Sequence, residues 1–240
     1  MYVNSRCLAL RTIKYNDAKS IVSVWSDALG YVTVAVSAGA GREARRRRAL
    51  MMPMSVFEAV IDAKPGHEMV TLRDVRPGGV IADMDGARTI VALFMADFFE
   101  RVLRNCQADT ALTAFVFETA ALLRSVSPAA LANLHLFIIY RLTGLLGFEP
   151  DMSTWSDGAC FDMREGRWRL VPPADGRRYI DADRSRGLML LDRLSVRNIG
   201  RVRLSRDQRN ELLDGLLEYY TIHHTPLTGL TSLEIVRTLF

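Results

Sequence analysis

The sequence has few cysteines, and their spacing argues against two kinds of cross-linked structure. Only three occur among 240 residues: Cys7, Cys106 and Cys160. They are far apart and odd in number, and no C-x-x-C pair occurs, which speaks against both a disulfide framework and a zinc knuckle. We therefore expect a protein of the reducing cytoplasm.

Long apolar runs are also missing. The most apolar segment, LHLFIIYRLTGLLGF, is interrupted by His135 and Arg141 and falls short of the roughly 18 apolar residues that a membrane-spanning helix needs. The first residues, MYVNSRCLALRTIK, contain no apolar stretch of the length found in signal peptides. We expect neither export nor a membrane span.

Common catalytic motifs are absent as well. The sequence contains no P-loop, no G-x-S-x-G nucleophile elbow and no H-E-x-x-H zinc motif. We therefore predict a protein that binds other macromolecules, is not an enzyme and uses no cofactor.

Positive charge is unevenly distributed along the chain. The formal net charge is +4, but residues 1–80 carry +5, residues 81–160 carry −4 and residues 161–240 carry +3. The N-terminal third includes GREARRRRAL, with five arginines in the seven residues 42–48. An anionic partner is therefore expected to meet the N-terminal part of the chain first.

The first eighty residues alternate between apolar and polar side chains with period two, which is typical of β-strands. In YVTVAVS, for example, Val32, Val34 and Val36 share one face, the presumed interior. Five such segments, with a longer connection between the third and the fourth, predict an OB-fold barrel as domain 1–80. The predicted strands are 6–13, 20–26, 31–37, 55–61 and 69–75.

After residue 80 the apolar residues recur with the spacing of α-helices. Ser127 followed by Pro128 is typical of a helix start, and Ser205 begins a capping box. Residues 148–184 are rich in Gly, Pro, Asp and Ser and are interpreted as a loop-rich insertion. The predicted fold class is α+β, with the barrel followed by a helical domain at 81–240. The predicted helices are 87–105, 110–126, 128–147 and 204–224.

The arginine block and the nearby lysines are the candidate nucleic-acid surface. OB barrels commonly bind single strands, and arginine both forks onto phosphate and stacks on bases. A charge run of this kind is otherwise explained as a solvated loop or helix start, and both interpretations stay open. The predicted DNA-contacting residues are Lys14, Lys19, Arg42, Arg45, Arg46, Arg47, Arg48 and Lys64.

Four segments, in this order along the chain, resemble the RecO family of bacterial recombination mediators. They are RCLALRTIKYNDAKSIVSVWSDALGYVTVAVSAGAG, RRRRALMMPMSVFEAVIDAKPGHEMVTLRDV, LLGFEPDMS and LEYYTIHHTPLTGLTSLEIVRTLF. Together they extend the resemblance over nearly the whole chain. It implies an N-terminal OB domain and a helical domain that carries an inserted zinc-ribbon-like region.

The resemblance also implies a function and partners. It implies binding of single- and double-stranded DNA, annealing of complementary strands and, with the partner RecR, help in loading RecA onto DNA coated by single-strand DNA-binding protein (SSB). The acidic SSB tail, which ends in an apolar residue, would need an apolar pocket with a basic rim in the helical domain. The residues considered for that pocket are Arg124, His135 and Arg141.

Two alternatives to this function stay open. In one, the helical domain is a scaffold that grips SSB and RecR while the barrel contributes only electrostatic tethering. In the other, the chain is an OB-type adaptor that binds RNA. The family would place the protein in the bacterial cytoplasm, associated with the nucleoid.

The sequence departs from the family at the zinc site. Many members carry two C-x-x-C pairs after the step that matches LGFEPDM, whereas the corresponding stretch DMSTWSDGACFDMREGRW has Cys160 alone. We therefore predict no metal site, and we expect Trp155, Phe161 and Trp168 to pack together in its place.

Overall fold

The structure is a computed structural model that describes residues 1–17, 19–37, 41–63, 69–79, 84–174 and 178–240. It divides into two compact units. The first comprises Met1–Ser125 together with Leu230–Ser232, and the second comprises Val126–Gly229 together with Leu233–Phe240. The domain boundary expected at residue 80 stays a prediction.

The N-terminal strands close into the five-stranded barrel that the alternating pattern predicts. Four of the pairings are antiparallel, and the parallel pairing of the third strand with the fifth completes the ring in the order β1-β2-β3-β5-β4. The strands are β1 (Tyr2–Lys14), β2 (Lys19–Ser26), β3 (Gly30–Ser37), β4 (Val56–Asp62) and β5 (Met69–Pro77).

The interior of the barrel is filled by the apolar set of each strand. Val34 and Val36 of β3 are buried as expected, and Val32 packs against the same core while remaining partly exposed. They meet Phe57 and Ile61 of β4, both fully buried. Burial of these side chains fixes the strand register, because a slip by one residue would turn the whole apolar set toward water.

Helix α1 (Arg42–Leu50) forms the connection between β3 and β4. The first unit also contains α2 (Gly86–Val102), which is N-capped by Asp85, and α3 (Thr110–Ser125). Buried Asp97 of α2 accepts hydrogen bonds from the Thr231 amide at 2.7 Å and its hydroxyl at 3.2 Å. These bonds hold the short segment 230–232 in the first unit.

The second unit is built on the helix that the Ser127-Pro128 signal predicts, α4 (Pro128–Leu145). The region interpreted as loop-rich contains a small three-stranded sheet in the order β7-β6-β8, with strands β6 (Cys160–Asp162), β7 (Arg167–Arg169) and β8 (Tyr179–Ile180). The other helices of this unit are α5 (Ala182–Asp192), α6 (Arg206–His223) with the predicted capping box, and α7 (Leu233–Leu239).

Helix α5 has no counterpart in the sequence-based prediction, which leaves most of this segment unassigned. Gly187 lies in the middle of the helix, where glycine usually argues against helix because it costs about 1 kcal/mol relative to alanine. Here the glycine suits the close packing, since a Cβ at this position would lie 2.2 Å from a methyl carbon of Leu212 on α6 and would force that side chain to shift. The close approach of α5 and α6 explains why glycine, which locally disfavours helix, occurs at this position.

We predict that Gly30→Ala destabilises the first unit by about 3 kcal/mol. Gly30 has φ +75°, and a Cβ there would lie 2.6 Å from the backbone nitrogen of Ala108. Gly79→Ala is the control, because no described residue lies within 4 Å of its Cβ position. Urea unfolding of the two variants measures the difference, and equal midpoints would contradict the packing described at Gly30.

Candidate nucleic-acid interface

The arginine block folds as a helix rather than as an extended loop. Arginine and alanine are both good helix formers, and every residue from 42 to 49 except Glu43 is one of the two. Arg47 and Arg48 lie in the last turn, where positive charge interacts favourably with the helix dipole. Leu50, only 3% exposed, anchors the end of the helix in the barrel core.

The helical spacing aligns part of the block over one strand of the barrel. Arg42, Arg46 and Leu50 follow each other at intervals of four residues and therefore share one face of α1. That face lines a cavity of about 970 Å³ beside β5, which we call the arginine cleft. The described residues lining the cleft are Arg42, Arg46, Arg47, Leu50, Asp74, Val75 and Arg76.

The cleft has an excess of positive charge. Neither Arg42, Arg46 nor Arg76 forms an ion pair with any carboxylate in the described part of the chain. Guanidinium groups that share a concave surface without carboxylate partners raise the local positive potential and attract polyanions. The geometry of this surface therefore suits phosphate.

Arg76 and Asp74 of the cleft were not among the predicted site residues. A β-bulge brings them there: the pairing of β4 with β5 runs from Val60↔Arg73 to Glu58↔Arg76, so that β5 has one extra residue. Bulges of this kind redirect side chains next to binding sites. The charged residues of the segment RDVR could have indicated these two side chains. The alternation of apolar and polar residues does not by itself reveal a bulge.

The remaining predicted DNA-contacting residues lie elsewhere. Arg45 and Arg48 are exposed on α1 but do not line the cleft. Lys14 forms an ion pair with Asp17 at 2.7 Å, and Lys19 begins β2 after the same turn. Lys64 lies outside the described residues. The structure thus gathers Arg42, Arg46 and Arg47 in one cavity, while the roles of the others stay predictions.

Arg124 lines a second cavity in the first unit, of about 260 Å³, which we call the α3 pocket. Its Nη1 and Nη2 donate to the carbonyl oxygens of Ala120 (2.8 Å) and Met54 (3.2 Å), and its buried Nε has no acceptor among the described residues. Burial lowers the pKa of the Arg124 guanidinium, which stays charged because arginine is not deprotonated in proteins. The described residues lining the pocket are Arg6, Ala49, Leu50, Ser55, Val56, Gly78, Gly79, Phe117, Ala120, Ala121 and Arg124.

The α3 pocket combines an apolar lining with two cations. Arg6 lies over the ring of Phe117, with its guanidinium carbon 4.6 Å from the ring centroid. Neither Arg6 nor Arg124 forms an ion pair with a carboxylate in the described ranges. A carboxylate next to an apolar side chain is the ligand chemistry that complements such a pocket.

His135 and Arg141, the two other residues considered for the SSB tail, belong to the second unit. The His135 ring is 3% exposed, and burial lowers its pKa to about 3, with a further contribution from Arg209, so that the ring is neutral. Arg141 donates through Nη2 to the carbonyl oxygens of Asp192 (2.6 Å) and Leu194 (2.7 Å) at the end of α5. The roles expected of His135 and Arg141 in binding the SSB tail stay predictions.

The donor set of the small sheet does not fit a zinc ion. Cys160 donates its thiol to the carbonyl oxygen of Arg169 at 3.2 Å. Across the described ranges, no three His, Cys, Asp or Glu side chains are grouped as a metal would require. Phe161 and Trp168 instead contact each other, with ring centroids 4.7 Å apart, and Tyr219 of α6 adds a third ring 5.4 Å from Phe161. The expected contact of Phe161 with Trp168 is therefore present, whereas Trp155 makes no ring contact with them among the described residues and Tyr219 joins them instead.

None of the helices in the described ranges is both long and apolar enough to cross a membrane.

Comparison with known proteins identifies similar chains. The family model described as "Recombination protein O N terminal" matches residues 1–78, and that described as "Recombination protein O C terminal" matches residues 84–233. The DNA repair protein RecO of Porphyromonas gingivalis W83 is 31% identical over 246 aligned positions that cover 100% of both chains. The protein of the same name from Bacteroides fragilis NCTC 9343 is 25% identical over 97% of both chains, and that from Flavobacterium psychrophilum is 22% identical over 100% of both.

We predict that aromatic packing, rather than a metal, stabilises the small sheet. Phe161→Ala removes a fully buried ring and should lower the free energy of unfolding by about 3–5 kcal/mol. Leu170→Ala, at a side chain 73% exposed, is the control and should change it by less than about 0.5 kcal/mol. A metal chelator should leave the thermal midpoint of the unsubstituted protein unchanged; a fall in that midpoint would contradict the prediction.

Proposed function

The chain belongs to the RecO family of DNA repair proteins, and we propose that it binds single- and double-stranded DNA through α1 and anneals complementary strands. The observation that carries this proposal is the arginine cleft. Among the described residues, the guanidinium groups of Arg42, Arg46 and Arg76 have no carboxylate partner, and they lie on an OB-type barrel, an architecture that commonly binds oligonucleotides. The proposed action is binding and charge neutralisation, without catalysis of bond chemistry.

The two faces of α1 support an annealing mechanism. Arg42 and Arg46 share the face toward the cleft, whereas Arg45 and Arg48, at an interval of three, lie on a different face directed to solvent. Two DNA strands repel each other through their phosphates, and a helix that holds one strand on each face lowers this repulsion. Complementary bases then meet at a reduced electrostatic cost, and pairing can begin.

Loading of RecA onto SSB-coated DNA requires contacts with proteins as well as with DNA. We propose that the α3 pocket binds the acidic SSB tail, with the terminal carboxylate at Arg124 and the apolar terminal side chain against Phe117. Support comes from the two cations, Arg6 and Arg124, around an apolar lining. Cooperation with RecR, and through it with RecA, is proposed from family membership.

The first prediction from this function concerns the salt dependence of DNA binding. The variant Arg42→Ala with Arg46→Ala removes two cations from the cleft while keeping a good helix former at both positions. We expect weaker binding of single-stranded DNA and a log–log salt slope smaller in magnitude by about 1.4, since each contacted phosphate contributes about 0.7. Fluorescence anisotropy across a salt series measures both quantities, and a strand-annealing assay follows the activity.

A matched control removes the same charge elsewhere. Arg184 forms ion pairs with Asp181 and Glu211, and Arg186 with Asp157, so both cations already have carboxylate partners. Arg184→Ala with Arg186→Ala should leave the slope and annealing near those of the unsubstituted protein. If the cleft variant behaves like this control, α1 is not the DNA contact and the scaffold hypothesis is favoured. Tighter binding of RNA than of DNA of the same sequence would favour the RNA adaptor.

The second prediction concerns the α3 pocket. Arg124→Ala should weaken binding of an acidic peptide with an apolar C-terminal residue by about 10-fold to 100-fold, the value of a charge-assisted hydrogen bond. Arg73→Ala is the control, because Arg73 pairs with Asp62 at 3.4 Å and does not line the pocket. Amidation of the peptide C-terminus should reproduce the loss. Equal affinities of the unsubstituted protein and the Arg124 variant would rule out this pocket as the tail site.

A further inference from the structure

A single carboxylate, that of Asp74, lies among the described residues that line the arginine cleft. Negative charge is unexpected on a surface that binds phosphate, because it repels the ligand. A structural explanation would be that Asp74 neutralises the arginines around it. The geometry of the residue allows this explanation to be tested.

Asp74 does not pair with the arginines of the cleft. It forms no ion pair and no hydrogen bond through its side chain with any residue in the described ranges, although Arg42, Arg46 and Arg76 line the same cavity. By contrast, Arg73, the preceding residue, pairs with Asp62 at 3.4 Å. Arg73 thus has a carboxylate partner on the neighbouring strand, whereas the side-chain oxygens of Asp74 are not occupied by any described residue.

The backbone at Asp74 is held in an uncommon conformation. Its φ is +50°, in the left-handed region, and it lies in the bulge between Arg73 and Arg76 of β5. Aspartate and asparagine tolerate this region better than most residues, but it still costs energy relative to extended backbone. Strain of this kind clusters at binding sites, and the exposed Asp74 lines both the arginine cleft and the neighbouring cavity that Glu58 also lines.

The cleft thus offers three kinds of contact to a ligand. Its guanidinium groups suit phosphate oxygens and base faces, half-buried Val75 adds apolar surface, and Asp74 accepts hydrogen bonds. Among the groups of a nucleic acid, a carboxylate is complementary to the exocyclic amino group of a base, such as N4 of cytosine. Thymine has no amino group, and its O4 is an acceptor that repels a carboxylate.

We propose that the arginine cleft binds single-stranded DNA with its bases turned inward, and that Asp74 accepts a hydrogen bond from the exocyclic amino group of an unpaired base. The cleft therefore prefers cytosine over thymine at this position. This inference rests on the proposed function, because it assigns a ligand to the same cleft.

The test compares labelled oligo(dC) and oligo(dT) of about 16 nucleotides, at one salt concentration and at a pH where cytosine is neutral. The unsubstituted protein should bind oligo(dC) about 3-fold to 10-fold more tightly, the value of one net hydrogen bond. Asp74→Asn keeps a side chain suited to the left-handed backbone and removes the charge. It should abolish most of the preference and strengthen binding of oligo(dT) by about 2-fold to 5-fold.

Two further variants make the result specific. Asp74→Gly also suits the positive φ and should lose the preference, which separates the carboxylate from backbone effects. Glu58→Gln removes the same charge from a residue of β4 that shares a neighbouring cavity with Asp74 but does not line the arginine cleft, and it should keep the preference. Equal binding of the two oligonucleotides by the unsubstituted protein, or an unchanged preference in both Asp74 variants, would overturn the inference.

The outcome separates this inference from the proposed function. If the protein binds both oligonucleotides equally and Arg42→Ala with Arg46→Ala weakens both, the cleft binds DNA but Asp74 does not read bases. If the same arginine variant leaves binding unchanged, the proposed function of the cleft fails together with the inference.

Discussion

The parallel pairing of β3 with β5 is the constraint on which the functional surface depends. Antiparallel neighbours can be joined by a tight turn, but β3 and β4 are not paired with each other, and the chain needs a longer connection between them. That connection is α1. Closure of the barrel thus sets the basic helix beside β5, and the bulge in β5 completes the cavity from the other side.

The electrostatics of the cleft follow from what is absent around α1 as much as from what is present. In the second unit, Arg184 and Arg186 each form an ion pair with a carboxylate, which partly neutralises their charge. Arg42, Arg46 and Arg76 have no such contact among the described residues. Mutual repulsion of these cations is tolerated because the helix is exposed to water and screened by salt. A bound anion relieves the repulsion between these arginines. The relief of this unfavourable electrostatic energy contributes to the free energy of binding.

Aromatic packing supports the small sheet of the second unit. The hairpin of β6 and β7 is too short to hold a core alone, and rings from two other parts of the unit join it. The ring centroid of Phe148, which follows α4, lies 4.9 Å from that of Tyr220 of α6. The ring centroid of Tyr219, on the same helix, lies 5.4 Å from that of Phe161. The sheet is therefore held to α6 by contacts between ring faces and edges, which require no thiolate ligands.

Local pattern was sufficient for the main elements of the fold. Alternating valines such as Val34 and Val36 define a strand with one buried face, and Ser127 with Pro128 or Ser205 with Gln208 define helix starts, because each depends on residues close in the chain. The barrel, the major helices and the basic character of α1 could therefore be predicted. Elements that violate local preference could not: α5 contains Gly187, whose purpose appears only when Leu212 is placed against it.

The sequence by itself determined that positive charge would concentrate between β3 and β4, since arginine content and spacing are local properties. Tertiary structure decided which cations share a cavity. It joined Arg42 and Arg46 to Arg76, thirty residues further along the chain, added Asp74 through a bulge, and enclosed His135 in the second unit. The physical reason is that a binding surface is made by distant segments whose proximity depends on barrel closure and strand register, and neither is encoded in the neighbouring residues of any one position.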